Sequence, residues 1–180
     1  MSILVLLEQR GELGNRSLET ISEANKVAIK AGKDLYVLYI GKTLSSQLEK
    51  LRGFGIKMVF VYDDEALEYY SNDCYVPIVK ELAEDLKAEV IVGAASVLGK
   101  ELCASAAARL GVEMVQECID MDWNNGLIVK KPIFAGKIIS TIKVCDFPAF
   151  VSLRPNVVEI HKQDDLLPDV EKREVRHPGS

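Results

Sequence analysis

Four times within its first 111 residues, the chain follows a short unbroken apolar run with a segment whose apolar residues recur every three or four positions. The first run is Ile3-Leu4-Val5-Leu6-Leu7, stopped by Glu8-Gln9-Arg10. From Ser17 onward Leu18, Ile21, Ala24, Ala28 and Ala31 share one helical face, until Gly32. Unbroken apolarity suits a strand covered on both faces, and the longer spacing suits an amphipathic helix. The unit returns as Leu35 to Ile40 with a helix around Leu44, Leu48 and Leu51, then as Met58 to Tyr62 with a helix around Val76, Val79, Leu82, Ala83 and Leu86. A fourth copy runs from Val90 to Val92 into a helix carrying Leu102, Ala106 and Leu110 and ended by Gly111. Right-handed crossovers then predict a doubly wound, mainly parallel α/β sheet of strand order 3-2-1-4. A chain of 180 residues is long enough to bury one such core.

Beyond Gly111 the pattern changes. Asn125-Gly126 is a hairpin turn signal, and Ile138, Ser140, Ile142 and Val144 alternate with Lys137, Ile139, Thr141 and Lys143. Pro132, Gly136 and Pro148 punctuate what reads as a C-terminal antiparallel meander, ending in Phe150 to Leu153 and Val157 to Ile160. The domain is expected to span residues 1–160. Residues 161–180, crowded with charges of both signs around Pro168 and Pro178, are expected as a loose tail or linker, with a short helix from Asp169 to Arg176 as the alternative.

Rare residue types exclude most hydrolytic chemistry. His161 and His177 both sit in the polar C-terminal stretch, which leaves no histidine in the domain body for a Ser/His/Asp triad, a Cys/His dyad or a three-histidine zinc site. Cys74, Cys103, Cys118 and Cys145 form no CxxC pair and read as free cysteines of a reducing compartment, without a metal. A net charge of -5 argues against unspecific binding of nucleic acid or of an anionic membrane. No apolar run approaches the ~20 residues that span a bilayer, and no basic-then-apolar leader precedes Ile3, so a cytoplasmic protein is expected.

In open parallel sheets, ligands bind beyond the carboxyl ends of the strands where strand order reverses. Order 3-2-1-4 puts that crevice between the first and fourth strands, at the loops Glu8 to Asn15 and Gly93 to Lys100. In the second loop Gly93, Ala94, Ala95, Ser96, Gly99 and Lys100 make a candidate anion loop at a helix start, where free N–H groups and the helix dipole favour negative charge. Its lettering is neither a Walker loop nor GxGxxG, since five residues separate the glycines and Glu101 follows the lysine. The small residues also fit a purely structural purpose, close packing of helix on strand, and Glu8 at the same mouth would oppose a phosphate. Asp63-Asp64-Glu65 and Asp164-Asp165 read as solvated turns, Tyr69, Tyr70 and Tyr75 as core or partner contacts, and Trp123 as a cap on the hairpin. No catalytic residue is assigned.

Three stretches, GAASVLGKELCASAAARLGV, KPIFAGKIISTIKV and VSLRPN, resemble in order and spacing the N-terminal domain of the electron transfer flavoprotein alpha subunit. The opening ILVLLEQRGELGNRSLETISEANKVA fits that domain's first strand and helix, and Arg154-Pro155 matches the family's Arg-Pro after its last strand. The resemblance covers about residues 1–160 and implies the fold group of the adenine nucleotide alpha hydrolases. It further implies an alpha subunit paired with a beta subunit, carrying electrons on FAD between dehydrogenases, such as those acting on acyl-CoA in fatty acid oxidation, and a membrane quinone reductase. The family's FAD-binding C-terminal motifs, a Gly-Arg-Gly stretch and a later Ser-Arg, do not occur here, so FAD is expected in the family assembly and not on this chain alone. The implied role is scaffold and subunit contact, not catalysis.

The alternative is a stand-alone universal-stress-like nucleotide-binding module, although its usual Gly-x-x-Gly stretch is missing. An adenylating hydrolase would want Ser-Gly-Gly in the first loop, which is also missing. Partner contact, with a beta subunit or in a homo-dimer, is expected on the meander face: Ile133, Phe134, Ile138, Ile139 and the segment Phe147 to Leu153, with Ile138 and Ile142 turned to the core and Ile139 away from it.

Overall fold

The computed structural model describes residues 1–7, 12–42 and 44–176. In chain order the elements are β1 (Ser2–Leu6), α1 (Asn15–Ala31), β2 (Asp34–Ile40), α2 (Leu44–Gln47), β3 (Ile56–Tyr62), α3 (Asn72–Asp85), β4 (Ala88–Ala94), α4 (Val97–Leu110), β5 (Met114–Cys118), β6 (Asp120–Trp123), β7 (Leu127–Ile133), β8 (Ile138–Val144), β9 (Ala149–Leu153) and β10 (Asp169–Lys172). The main sheet has the order β10-β3-β2-β1-β4-β9-β5 with every pairing parallel, and β6-β7-β8 form a small antiparallel sheet. The predicted order 3-2-1-4 is the middle of this sheet.

Continuous apolarity fills both faces. Ile3, Val5, Val37, Val59, Val92 and Val151 point to the side covered by α1 and the small sheet. Leu4, Leu6, Leu38, Phe60, Ile91 and Phe150 point to the side covered by α3 and α4. Alternate residues of a strand face opposite ways, so two separate cores require strands that are apolar at every position.

The meander is smaller than expected. Phe150 to Leu153 lie in β9, inside the main sheet between β4 and β5, because all five of its residues are buried and a two-face burial suits only an interior parallel strand. Val157 to Ile160 form no strand. They belong to an extended strap crossing α1, whose backbone groups are met by side chains instead of a neighbouring strand: Glu19 accepts from the Asn156 N–H, and the Ser22 hydroxyl accepts from the His161 N–H at 2.8 Å.

The strap continues past Gly53, whose N–H donates to the Leu166 carbonyl while its own carbonyl accepts from Gln163. A Cβ at Gly53 would stand 2.6 Å from the Asp164 carbonyl oxygen, so only glycine permits this crossing, at φ +89°. Beyond it, where a loose segment or a short helix was the expectation, β10 adds to the sheet edge with Asp169 opposite Met58. Arg173 then lies over the Phe60 ring at 4.6 Å and binds the Asp85 carboxylate at 2.9 Å.

Candidate functional site

The sheet order reverses between β1 and β4, the place where the crevice was predicted. On one side the residues after β1 lead to Leu13, whose N–H donates to the Gln47 side chain; Glu8 lies outside the described residues. On the other side, Gly93, Ala94, Ala95, Ser96, Gly99 and Lys100 do come together, at the end of β4 and the start of α4. Ser96 is the N-cap of α4, and its hydroxyl accepts the Gly99 N–H at 2.9 Å. A Cβ at Gly99 would lie 2.1 Å from the Ala94 carbonyl oxygen, and one at Gly93 2.7 Å from the Cys103 sulfur. The Ala95 N–H donates to the Leu153 carbonyl at 2.7 Å, tying the loop to β9.

Lys100 is directed to the end of the neighbouring strands, where its ammonium meets Glu117 at 3.2 Å. Glu117 also faces Arg154 at 3.8 Å. The Lys100 ammonium, with Arg154 adding to it, holds the Glu117 carboxyl below the usual carboxylate range. Glu117 sits in a register shift of β5 with φ +56°, and its N–H donates to the buried Ser152 hydroxyl. Sequence reasoning did not single out Glu117, Ser152 or Arg154 as site residues. The one signal was Arg154-Pro155, since the meeting of Lys100 and Glu117 depends on which strands pair.

A second polar cluster joins α1 to the small sheet. Glu23, nearly buried, accepts the Met121 N–H at 2.8 Å and the Lys26 ammonium at 2.6 Å, and Lys26 also reaches Asp120 at 3.0 Å. Those two carboxylates outweigh the burial of Lys26 and raise its pKa. Trp123 caps the hairpin as expected, stacked on Phe147 at 5.7 Å and with the Lys33 ammonium over its ring at 5.2 Å; Lys33 is ion-paired to Glu89. Tyr75 is core, edge-on to Tyr70 at 5.0 Å, while Tyr69 is exposed.

The face expected to meet a partner is only partly exposed. Phe134, Ile138 and Ile139 are exposed, at 71, 50 and 50%, but Ala149 to Leu153 are core and offer nothing to a partner. Ile138 shares the inward face with Ile142, as alternation required, yet lies past the end of the core and is not covered by it. No described helix is long and apolar enough to cross a membrane.

A family model described as the electron transfer flavoprotein domain matches residues 3–177. An electron transfer flavoprotein subunit alpha of Thermoanaerobacterium thermosaccharolyticum is 34% identical over 91% of this chain and 51% of its own length. A protein FixB of Clostridium saccharobutylicum is 33% identical over 97% of this chain and 53% of its own. An acryloyl-CoA reductase electron transfer subunit beta of Anaerotignum propionicum is 29% identical over 87% of this chain and 50% of its own. The chain thus spans about half the length of the curated relatives it matches.

Proposed function

Because this chain belongs to the electron transfer flavoprotein domain family, we propose that it is the scaffold and subunit-contact domain of a flavin electron carrier, and not a catalyst by itself. The observation that carries this reading is the family match over residues 3–177, together with similarity to relatives about twice as long that are named as alpha or electron-transfer subunits. Residues 1–160 are the proposed domain body, with the strap and edge strand laid over it. The proposed partner is a beta subunit or a second copy, met through the small antiparallel sheet. Electrons would come from dehydrogenases such as those acting on acyl-CoA, and unpaired cysteines suit a cytoplasmic setting.

FAD belongs, on this reading, to the assembly. The loop at Gly93 to Lys100 does not fit its phosphates: the space beneath Gly93 and Gly99 is filled by Cys103 and the Ala94 carbonyl, the Gly99 N–H is capped, and Lys100 faces a carboxylate. The loop is therefore proposed as a packing joint, which also leaves the nucleotide-binding alternative without a specific observation in its favour. Purification of the chain alone is expected to give a colourless protein. Co-purification with a beta subunit is expected to give a complex, and a yellow isolated chain with stoichiometric FAD overturns the division of labour.

A further inference from the structure

The β7–β8 hairpin is an arm. On its inward face Leu127 and Val129 pair with Val144 and Ile142 over the core, but the same face continues to Ile133 opposite Ile138, where Ile138 is half-exposed. On the outward face Pro132 lies opposite Ile139, equally exposed. Beyond Lys131 and Ser140, each face of the tip thus leaves an isoleucine half-exposed, which a hairpin lying on its own domain would not need.

The turn itself is strained. Phe134 and Ala135 hold left-handed φ values of +50° and +54° before Gly136 at +82°. A bulky side chain in that conformation is an outlier, and its ring is 71% exposed, so no core contact offsets the cost.

The charge on the arm is one-sided. Between Asn124 and Cys145 the chain has four lysines, Lys130, Lys131, Lys137 and Lys143, and no acidic residue, although the whole chain has net charge -5. Of the four, only Lys130 is ion-paired among the described residues, to Asp120 at 4.0 Å. Deepening the subunit-contact reading on which it rests, we infer that this arm clasps a partner protein whose surface is acidic around an apolar cleft that takes in the whole hairpin tip, with Ile138 against one wall and Ile139 against the other. An arm-to-arm pair of identical copies would set lysines against lysines. An anionic membrane is a poorer fit, since the apolar residues lie on two opposite faces and the acidic remainder of the chain would be repelled.

The test is the affinity of this chain for its cognate beta subunit, measured at low and high salt for the parent, for Lys137→Glu with Lys143→Glu, for Phe134→Asn, and for Lys57→Glu as a control distant from the arm. The charge reversal is expected to weaken binding about tenfold or more at low salt and to flatten the salt dependence. Phe134→Asn is expected to weaken it comparably without lowering the melting temperature, because asparagine accepts the left-handed backbone. Arm variants that bind like the parent overturn the arm's role and leave the subunit reading standing. A parent that does not bind the beta subunit overturns both. Self-association of the parent that the arm variants abolish, or pelleting of the parent with phosphatidylglycerol vesicles that Phe134→Asn abolishes, overturns the acidic-protein assignment.

Discussion

β8 and β9 are consecutive strands with opposite fates. In β9 all five residues are buried, whereas in β8 only Val144 is. The difference follows from how many faces are covered. Ala149 and Val151 join the core beneath α1, Phe150 joins the core beneath α3 and α4, and even Ser152 is enclosed with its hydroxyl bonded to the Glu117 N–H. β8 has one covered face that runs out before the hairpin ends. A run apolar on both faces therefore marks an interior strand, even with one small bonded polar residue in it, and an alternating one marks a strand with a face left for something else.

The comparison breaks most severely at Phe150. Phe150→Ala removes a wholly buried ring from the middle of the parallel sheet and is expected to cost about 3–5 kcal/mol, read as a fall in the denaturation midpoint at unchanged slope. A cost below about 1 kcal/mol would mean that β9 is not an interior strand.

Thiols report the same contrast. Cys103 packs in the core that holds Phe150, and Cys118 is paired opposite Leu153, while Cys145 is exposed just past β8. Burial pushes the Cys103 and Cys118 thiols up to about 12 from an ordinary 9.0. Tyr70 and Tyr75, likewise raised by burial, reach about 12 from 10.0. Each is an acid that keeps its proton longer when folded, so the unfolded chain ionises first and stability falls as pH rises from about 9 toward 12. A disulfide-exchange reagent at neutral pH should label Cys145 in the native protein, and Cys103 and Cys118 only after unfolding. Equal labelling of all three would contradict the burial around β9.

The sheet order and both core faces were legible because each of the first four strands carries its own unbroken apolar run. The run at Phe150 was equally visible, but its placement was not: pairing with β4 and β5 is a non-local event, and the neighbouring alternation at Ile138 to Val144 suggested a common meander. β10 had no signal at all, since all four of its residues are exposed and its place is fixed by backbone pairing to β3 and by Arg173. At the candidate site the Ser96 cap and the glycine spacing could be read directly. Glu117 could not, because its meeting with Lys100 rests on a register shift in β5.

Between these extremes lies the joint that holds the small sheet to α1. Glu23 is polar, yet buried, because it accepts the Met121 N–H and the Lys26 ammonium. Glu23→Ala leaves that N–H without its partner and is expected to cost about 1–3 kcal/mol. Proteolysis should then cut first within residues 119–145, since the arm loses its anchor before the main sheet does. Unchanged stability would show that packing at Met121 and Val129 suffices without the bond.

The smallest effect is expected at Ile139, and it is the sharpest test of the arm. Ile139 lies opposite Pro132 on the outward face and is 50% exposed, so it contributes little to the core. Lysine is the harshest replacement by polarity, but here its stem can lie along Pro132 while the ammonium stays in water. Ile139→Lys is accordingly expected to shift stability by no more than about 0.5 kcal/mol, the usual range for a surface site. In a complex the same position is covered, and the added ammonium loses its water without gaining a placed carboxylate, so association with the beta subunit is expected to weaken despite the favourable sign of the charge. A denaturation curve and a binding isotherm of the same preparation separate the two effects. If Ile139→Lys unfolds the domain, and the parent itself stays monomeric and binds no beta subunit, Ile139 belongs to the core and β8 has no free face.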